Sequence, residues 1–103
     1  MIDLEKECLD QILSILGKYV PECKVLVFGS RVEGRARRFS DLDLALIATE
    51  KVDWRRLEAL KDAFSESDLQ IIVDVLDWHA ISDGFRKVIE RQYEVVQKGK
   101  QKV

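Results

Sequence analysis

The stretch VFGSRVEGRARRFSDLDLAL, residues 27–46, joins an apolar run, a Gly-Ser pair, four arginines and an Asp-x-Asp motif. The runs at its two ends, KVLVFG and LDLALIA, are short and rich in β-branched or aliphatic residues, which is typical of strands. The charged segment between them is then a loop that joins two strands, and we expect those strands to pair. Such a density of opposite charges in a chain of net charge −2 needs a chemical reason.

Helices and at least one more strand flank this stretch. Apolar residues at mostly helical spacing predict an amphipathic helix over residues 3–18. Asp53 can cap a helix through WRRLEALKDAF, and Ser82 can cap one through GFRKVIERQ. LQIIVDVLDW predicts a third strand, and the tail from residue 93 is compatible with helix continuation or, as we favour, a short strand followed by a frayed basic end. This order of elements predicts an α+β fold, similar to a sandwich, with helices packed on one small sheet.

Length and composition limit the class of protein. The 103 residues suit a single domain, residues 1–103, and 47% hydrophobic with 35% charged residues is a globular composition. No apolar run approaches the ~18 residues that span a membrane, and the acidic start MIDLEKECLD is unlike a secretory signal. Cys8 and Cys23 stand alone and outside any metal-binding spacing, so we expect reduced thiols in a cytoplasmic protein.

The net charge also bears on the partner. A charge near zero argues against stable binding to nucleic acid, which requires an extended basic face. The basic cluster is local, which indicates a small anionic ligand.

The Asp-x-Asp motif suggests how a small anionic ligand would be bound. Alternate side chains of a strand share a face, so Asp41 and Asp43 project to the same side with Cα atoms roughly 6.5 to 7 Å apart. Two such carboxylates repel each other unless a cation lies between them, and Mg²⁺ prefers hard oxygen ligands. Because Mg²⁺ also keeps phosphate oxygens as ligands, a nucleoside triphosphate is the natural third party.

The Gly-Ser pair makes this interpretation more specific. Gly29 lets the backbone approach a ligand, and exposed N–H groups with the Ser30 hydroxyl can hold phosphate oxygens. Gly34 allows a tight turn in the loop. The four arginines could neutralise phosphate charge, although we expect about two of them to be only solvated, and Arg31 is the best candidate; they are Arg31, Arg35, Arg37 and Arg38.

A third carboxylate comes from the third strand. Asp74 stands among β-branched residues, where an acid is costly without a partner, and Asp41 and Asp43 would supply one. Three carboxylates on neighbouring strands could hold two metal ions about 3.5 to 4 Å apart, one activating an acceptor hydroxyl and one steadying pyrophosphate. This predicts in-line nucleotidyl transfer. Asp77 is the alternative third ligand, more consistent with a structural role, and we assign no role to His79.

Taken together, these residues resemble the signature of a known family. GSRVEGRARRFSDLDL resembles the signature of the DNA polymerase β-like nucleotidyltransferase superfamily, and most of all its minimal nucleotidyltransferase (MNT) branch, the antitoxins of HEPN–MNT gene pairs. The resemblance extends from the first helix to VDVLDW. It implies a polymerase β-like palm fold, a small mixed sheet packed with helices.

The resemblance also implies roles. Gly29 and Ser30 match the triphosphate-binding pair, with Arg31 and Ser40 beside it, and Ser40 positions the acidic strand. Two Mg²⁺ ions bound by the three acids, ATP as donor, and AMP transfer to a hydroxyl of a HEPN toxin are the implied cofactors, activity and partner; the three acids are Asp41, Asp43 and Asp74.

Alternatives remain open from the sequence. The chain could be a non-catalytic antitoxin that neutralises a HEPN partner by complex formation. An enzyme acting on a small molecule would need an acceptor domain for which the short chain is not expected to have room. Pairing of two copies would bury more surface, although no heptad indicates it. The large aromatic residues stand at core-like positions, and any that were left exposed would indicate a partner surface; they are Trp54, Phe64, Trp78 and Phe85.

Overall fold

The fold is a four-stranded mixed sheet between two layers of helix. A computed structural model of the chain describes residues 2–37 and 40–99. The predicted tail beyond residue 99 lies outside these residues. In chain order the elements are α1 (Lys6–Tyr19), β1 (Lys24–Phe28), α2 (Ser30–Glu33), β2 (Leu42–Ile47), α3 (Trp54–Ser65), β3 (Val73–Asp77), a 3-10 turn (Trp78–Ala80), α4 (Asp83–Glu90) and β4 (Tyr93–Gln97).

The sheet has the strand order β3-β2-β1-β4. β1 pairs antiparallel with both β2 and β4, whereas β2 and β3 run parallel. β2 and β1 are therefore the two inner strands, in accordance with the apolar runs from which they were predicted. The mixed sheet and the β4 strand confirm the predicted fold class.

One face of the sheet holds most of the core. Side chains of α1 and α3 pack there against β1, β2 and β3, and Leu42 and Leu44 are fully buried, as the strand alternation predicts. Burial of a Leu side chain contributes about 2 kcal/mol, so this layer is the principal source of stability.

The opposite face is covered in part by α4, with Trp78 of the 3-10 turn and Ile81 beside it. Ile89 of α4 packs with Leu26, Phe28 and Ala45, and the ring of Phe85 meets that of Phe28 edge to face with 5.9 Å between centroids. Beyond these residues the face stays open, and this open part carries the candidate site.

Both predicted helix caps are present. The Asp53 carboxylate accepts from the Arg55 backbone N–H at 2.9 Å, and the Ser82 hydroxyl accepts from that of Phe85 at 3.1 Å. None of the helices in the described part of the chain is long and apolar enough to cross a membrane.

The core positions expected for the aromatic residues hold in part. Phe64 is buried and Trp78 is partly buried, but the expectation for Trp54 is wrong, because its side chain is 68% exposed. Trp54 precedes the buried Leu60 by six residues, which at ~100° per residue places it about 120° away around the helix. Phe85 packs on Phe28 but remains 37% exposed.

Candidate active site

A row of four residues crosses the face of the sheet on which α4 packs. Asp74 of β3 is in register with Asp43 of β2, Asp43 with Phe28 of β1, and Phe28 with Tyr93 of β4. Residues directly opposite each other on paired strands project to the same face. The row therefore runs from two carboxylates to two aromatic rings, and Asp41 lies two residues before Asp43, just ahead of β2.

The carboxylates of this row influence one another. Burial raises the pKa of Asp43 above its ordinary value, and the negative charges of Asp74 and Asp41 raise the pKa further. Asp43 is partly buried, whereas Asp41 and Asp74 are exposed. The structure thus brings the three predicted acids into one electrostatic cluster with Asp43 at its centre.

Gly29 lies directly against the centre of this cluster. Its backbone has a φ of 85°, and a Cβ atom at this position would collide with Oδ2 of Asp43 and lie 3.3 Å from its Cγ. A side chain at residue 29 and the Asp43 carboxylate cannot occupy this space together. The positive φ and the close approach of Asp43 both favour glycine at residue 29, as the phosphate-loop hypothesis does.

The Gly-Ser pair opens a single helical turn that the sequence analysis did not predict. Gly29 caps α2, and Gly34 ends it in the left-handed conformation with a φ of 77°. The first N–H groups of a helix have no acceptor within the helix itself, so the start of α2 offers donors beside Asp43. A segment of four residues is too short to show helical periodicity, which explains why it was missed.

Arg31 does not point into the phosphate loop. It is 6% exposed, its Nε and Nη2 donate to the Ser40 carbonyl at 3.1 and 2.8 Å, and its Nη1 donates to the Asp3 carbonyl at 2.8 Å. The phosphate role of Arg31 stays a prediction, and this placement favours a structural role.

The remaining loop residues differ in their surroundings. Ser40 is held by its own loop, since its hydroxyl accepts from the Arg37 N–H at 2.7 Å. Arg35 makes an exposed ion pair with Glu33 at 3.0 Å, which contributes little. Arg37 is exposed, and Arg38 lies outside the described residues.

Asp77, the alternative third ligand, serves the fold. It is 3% exposed, its Oδ2 accepts from the Val52 N–H at 2.7 Å, and its Oδ1 accepts from the His79 N–H at 2.9 Å. Both carboxylate oxygens are thus used by backbone groups, whereas Asp74 is exposed and in register with Asp43. The His79 ring nitrogen Nε2 lies 2.7 Å from the Ala48 carbonyl oxygen.

The donor set suits a divalent cation. Three carboxylates with one raised pKa form a site that a cation would stabilise, and Mg²⁺ takes such oxygen ligands. Within residues 2–37 and 40–99, no three His, Cys, Asp or Glu side chains stand in a ready metal-binding arrangement. Repulsion between the ionised carboxylates favours a wider separation of the three acids than a metal-ligand arrangement would have.

Comparison with known proteins agrees with this geometry. Residues 10–102 match the family model for polymerase beta nucleotidyltransferases. The chain belongs to this nucleotidyltransferase family. It is 47% identical over 96 residues to the probable protein adenylyltransferase MntA of Haemophilus influenzae, covering 93% of this chain and 84% of that relative.

Solved structures of low sequence identity share the fold. A toxin-antitoxin structure with AMP-PNP matches with a TM-score of 0.66 at 24% identity, over 90% of this chain and 74% of that chain. A complex of a tri-AMPylated HEPN toxin of Shewanella oneidensis with its MNT antitoxin matches with a TM-score of 0.62 at 19% identity, over 92% and 73%. The polymerase β-like fold implied by the resemblance is confirmed.

The contact between Gly29 and Asp43 predicts a coupled stability effect. Gly29→Ala should lower the free energy of unfolding by about 1 to 3 kcal/mol, because its backbone (φ 85°, ψ −156°) lies in a region that essentially only glycine adopts, with a further loss because the Asp43 carboxylate must move. Gly34→Ala reports the cost of alanine at a positive φ in the left-handed helical region (ψ 16°), where nothing lies within 4 Å of an added Cβ, whereas the contact itself is measured only by the cycle with Asp43. Adding Asp43→Ala to Gly29→Ala should remove the further loss in a double-mutant cycle by urea denaturation. Additive effects would contradict the contact.

The raised pKa of Asp43 predicts a stability change that depends on pH. An ionised Asp43 opposes folding at pH values above its raised pKa, and protonation relieves this as the pH falls through that pKa. In EDTA, Asp43→Asn should therefore unfold at higher urea than the wild type at pH 7. The difference should shrink towards pH ~4, near the ordinary Asp value. Asp62→Asn, at an exposed position of α3, controls for net charge. An Asp43→Asn protein that is less stable than the wild type at pH 7 would disprove this electrostatic cost.

Proposed function

We propose that this protein transfers AMP from ATP to a hydroxyl of a partner protein in a Mg²⁺-dependent reaction, and that it thereby acts as the antitoxin of a HEPN toxin. The observation that carries the proposal is the Asp43 carboxylate, which lies against Gly29 and in register with Asp74. This arrangement sets the Gly-Ser turn and two acids side by side, which supports binding of phosphate and metal there. The relative named a protein adenylyltransferase supports the choice of AMP and of a protein acceptor.

Each group of the site has an assigned part. Asp41, Asp43 and Asp74 would hold two Mg²⁺ ions, which would supply charge neutralisation for the triphosphate and for the departing pyrophosphate. The start of α2, with Gly29 and Ser30, orients the phosphates through backbone N–H groups.

The reaction is a displacement at the α-phosphorus. A bond forms between the acceptor oxygen and the α-phosphorus, the bond from the α-phosphorus to the bridging oxygen breaks, and pyrophosphate leaves. Asp74 is the exposed end of the acidic row, and in this proposal its carboxylate accepts the hydroxyl proton.

The same face has apolar surface for a protein acceptor. Tyr93 and Val95 of β4 are in register with Phe28 and Leu26, so they share the face of the acids, and each is 42% exposed. Val88 of α4 is 49% exposed. An acceptor hydroxyl can reach Asp43 only if its protein lies over this face, where these residues can bury apolar area. In a solved complex of similar fold, the MNT antitoxin is bound to a HEPN toxin, which supports a HEPN protein as the partner.

The proposal also includes the location of the protein in the cell. Cys8 and Cys23 are free thiols, which supports a cytoplasmic location.

A non-catalytic antitoxin that only covers its toxin is the second candidate function, and the same exposed apolar residues favour it.

The test is transfer of label from ATP labelled at the α-phosphate. Protein purified with its co-purifying partner should fix label on the partner, and Asp41→Asn with Asp43→Asn should lower the rate below about 1%, since the metal-binding acids supply several kcal/mol of charge stabilisation. Asp74→Asn should also lower the transfer rate below about 1% while the protein stays folded. Asp77→Asn should keep transfer per folded molecule but lower stability by about 1 to 3 kcal/mol, because one buried N–H loses its acceptor.

The controls separate the two candidate functions. Asp62→Asn is the matched surface variant and should label the partner at the wild-type rate. Absence of label with a partner that co-purifies equally with wild-type and doubly substituted protein would reject transfer and support the covering role.

A further inference from the structure

Arg31 is a charged side chain enclosed by backbone carbonyls. Its guanidinium donates twice to the Ser40 carbonyl and once to the Asp3 carbonyl, and the Asp3 N–H returns a bond of 2.8 Å to the Arg31 carbonyl. Burying a charge is costly unless hydrogen bonds compensate. These hydrogen bonds therefore hold the backbone at Ser40 and Asp3 as well as the arginine itself. The bond to Asp3 joins segments 28 residues apart in sequence.

The Ser40 carbonyl stands at the entry to the acidic strand. Asp41 follows it directly, and Leu42 then begins β2 and donates from its N–H to the Ile72 carbonyl at 2.9 Å. Asp41 lies outside the strand ladder, so the backbone at residue 40 determines where its carboxylate stands. The two donors of Arg31 act on that peptide group.

Arg31 reaches this carbonyl from the side of α1. Together with Leu4, Cys8 and Gln11 it borders a cavity of about 490 Å³, and none of Asp41, Asp43 and Asp74 borders that cavity. Its charge also lowers the pKa of the Cys8 thiol, against a larger increase from burial. The guanidinium therefore faces away from the open side of the sheet.

We propose that Arg31 is a positioning residue, which holds the Ser40 peptide and thereby sets Asp41 relative to Asp43, and that it is not a phosphate ligand. The planar fork of an arginine can engage one carbonyl with two N–H groups and still reach a second, which a lysine cannot do. The link to catalysis rests on the proposed function, whereas the structural part is independent of it.

The experiment compares Arg31→Met and Arg31→Lys with Arg55→Met, a control at an exposed arginine of α3. Hydrogen exchange should show faster exchange at residues 40–42 in Arg31→Met, with β1 and the rest of β2 protected as in the wild type. At saturating Mg²⁺, the affinity for an ATP analogue that cannot be cleaved between α- and β-phosphates should stay within about threefold, since no phosphate contact is lost. In the transfer assay kcat should fall about 100-fold at a nearly unchanged KM for ATP. Arg31→Lys should recover part of the protection and of kcat.

The opposite pattern would overturn the proposal. A loss of analogue affinity of tenfold or more, with normal exchange at residues 40–42, would make Arg31 a phosphate ligand. Unfolding of both Arg31 variants would show that the residue supports the whole fold and not the acidic segment in particular. If the wild type transfers no AMP, the proposed function fails, while exchange and analogue affinity still decide the role of Arg31.

Discussion

The close approach of the Asp43 carboxylate to the Gly29 backbone is the constraint on which the site depends. It follows from the antiparallel pairing of β1 and β2, which sets Phe28 opposite Asp43 and leaves Gly29, the residue after β1, beside the acid. Only glycine leaves room for this carboxylate, and the positive φ at residue 29 turns the chain into α2. A single register thus brings the Gly-Ser turn and the acidic strand together.

The fold supports an arrangement that is electrostatically unfavourable by itself. Asp41, Asp43 and Asp74 lie together on the open part of one face of the sheet, and the pKa of Asp43 is raised. The opposite face, packed with α1 and α3, supplies the stability that offsets this repulsion. A cation bound among the acids would convert the repulsion into attraction.

The sequence predicted the parts of the molecule whose signals are local. Strands β1 and β2 appeared as apolar runs, Asp53 and Ser82 as caps, and the Gly-Ser and Asp-x-Asp motifs as neighbours, because each signal lies within a few residues. The partners of Arg31 could not be predicted in this way, since Asp3 is 28 residues away and its carbonyl carries no sequence information. The choice between Asp74 and Asp77 also needed the register of β3, which places Asp74 opposite Asp43 and Asp77 opposite Leu46. Trp54 had the spacing of a core residue but faces solvent at the first position of its helix.

The central claim is that the acids beside Gly29 form a divalent-metal site for a nucleotide, and binding of Mn²⁺ followed by electron paramagnetic resonance tests it most directly. The account predicts that the wild type takes up Mn²⁺ more tightly when the non-cleavable ATP analogue is present, and that Asp41→Asn with Asp43→Asn abolishes this uptake while the protein stays folded. Equal Mn²⁺ uptake by wild-type and doubly substituted protein in the presence of the analogue would contradict it.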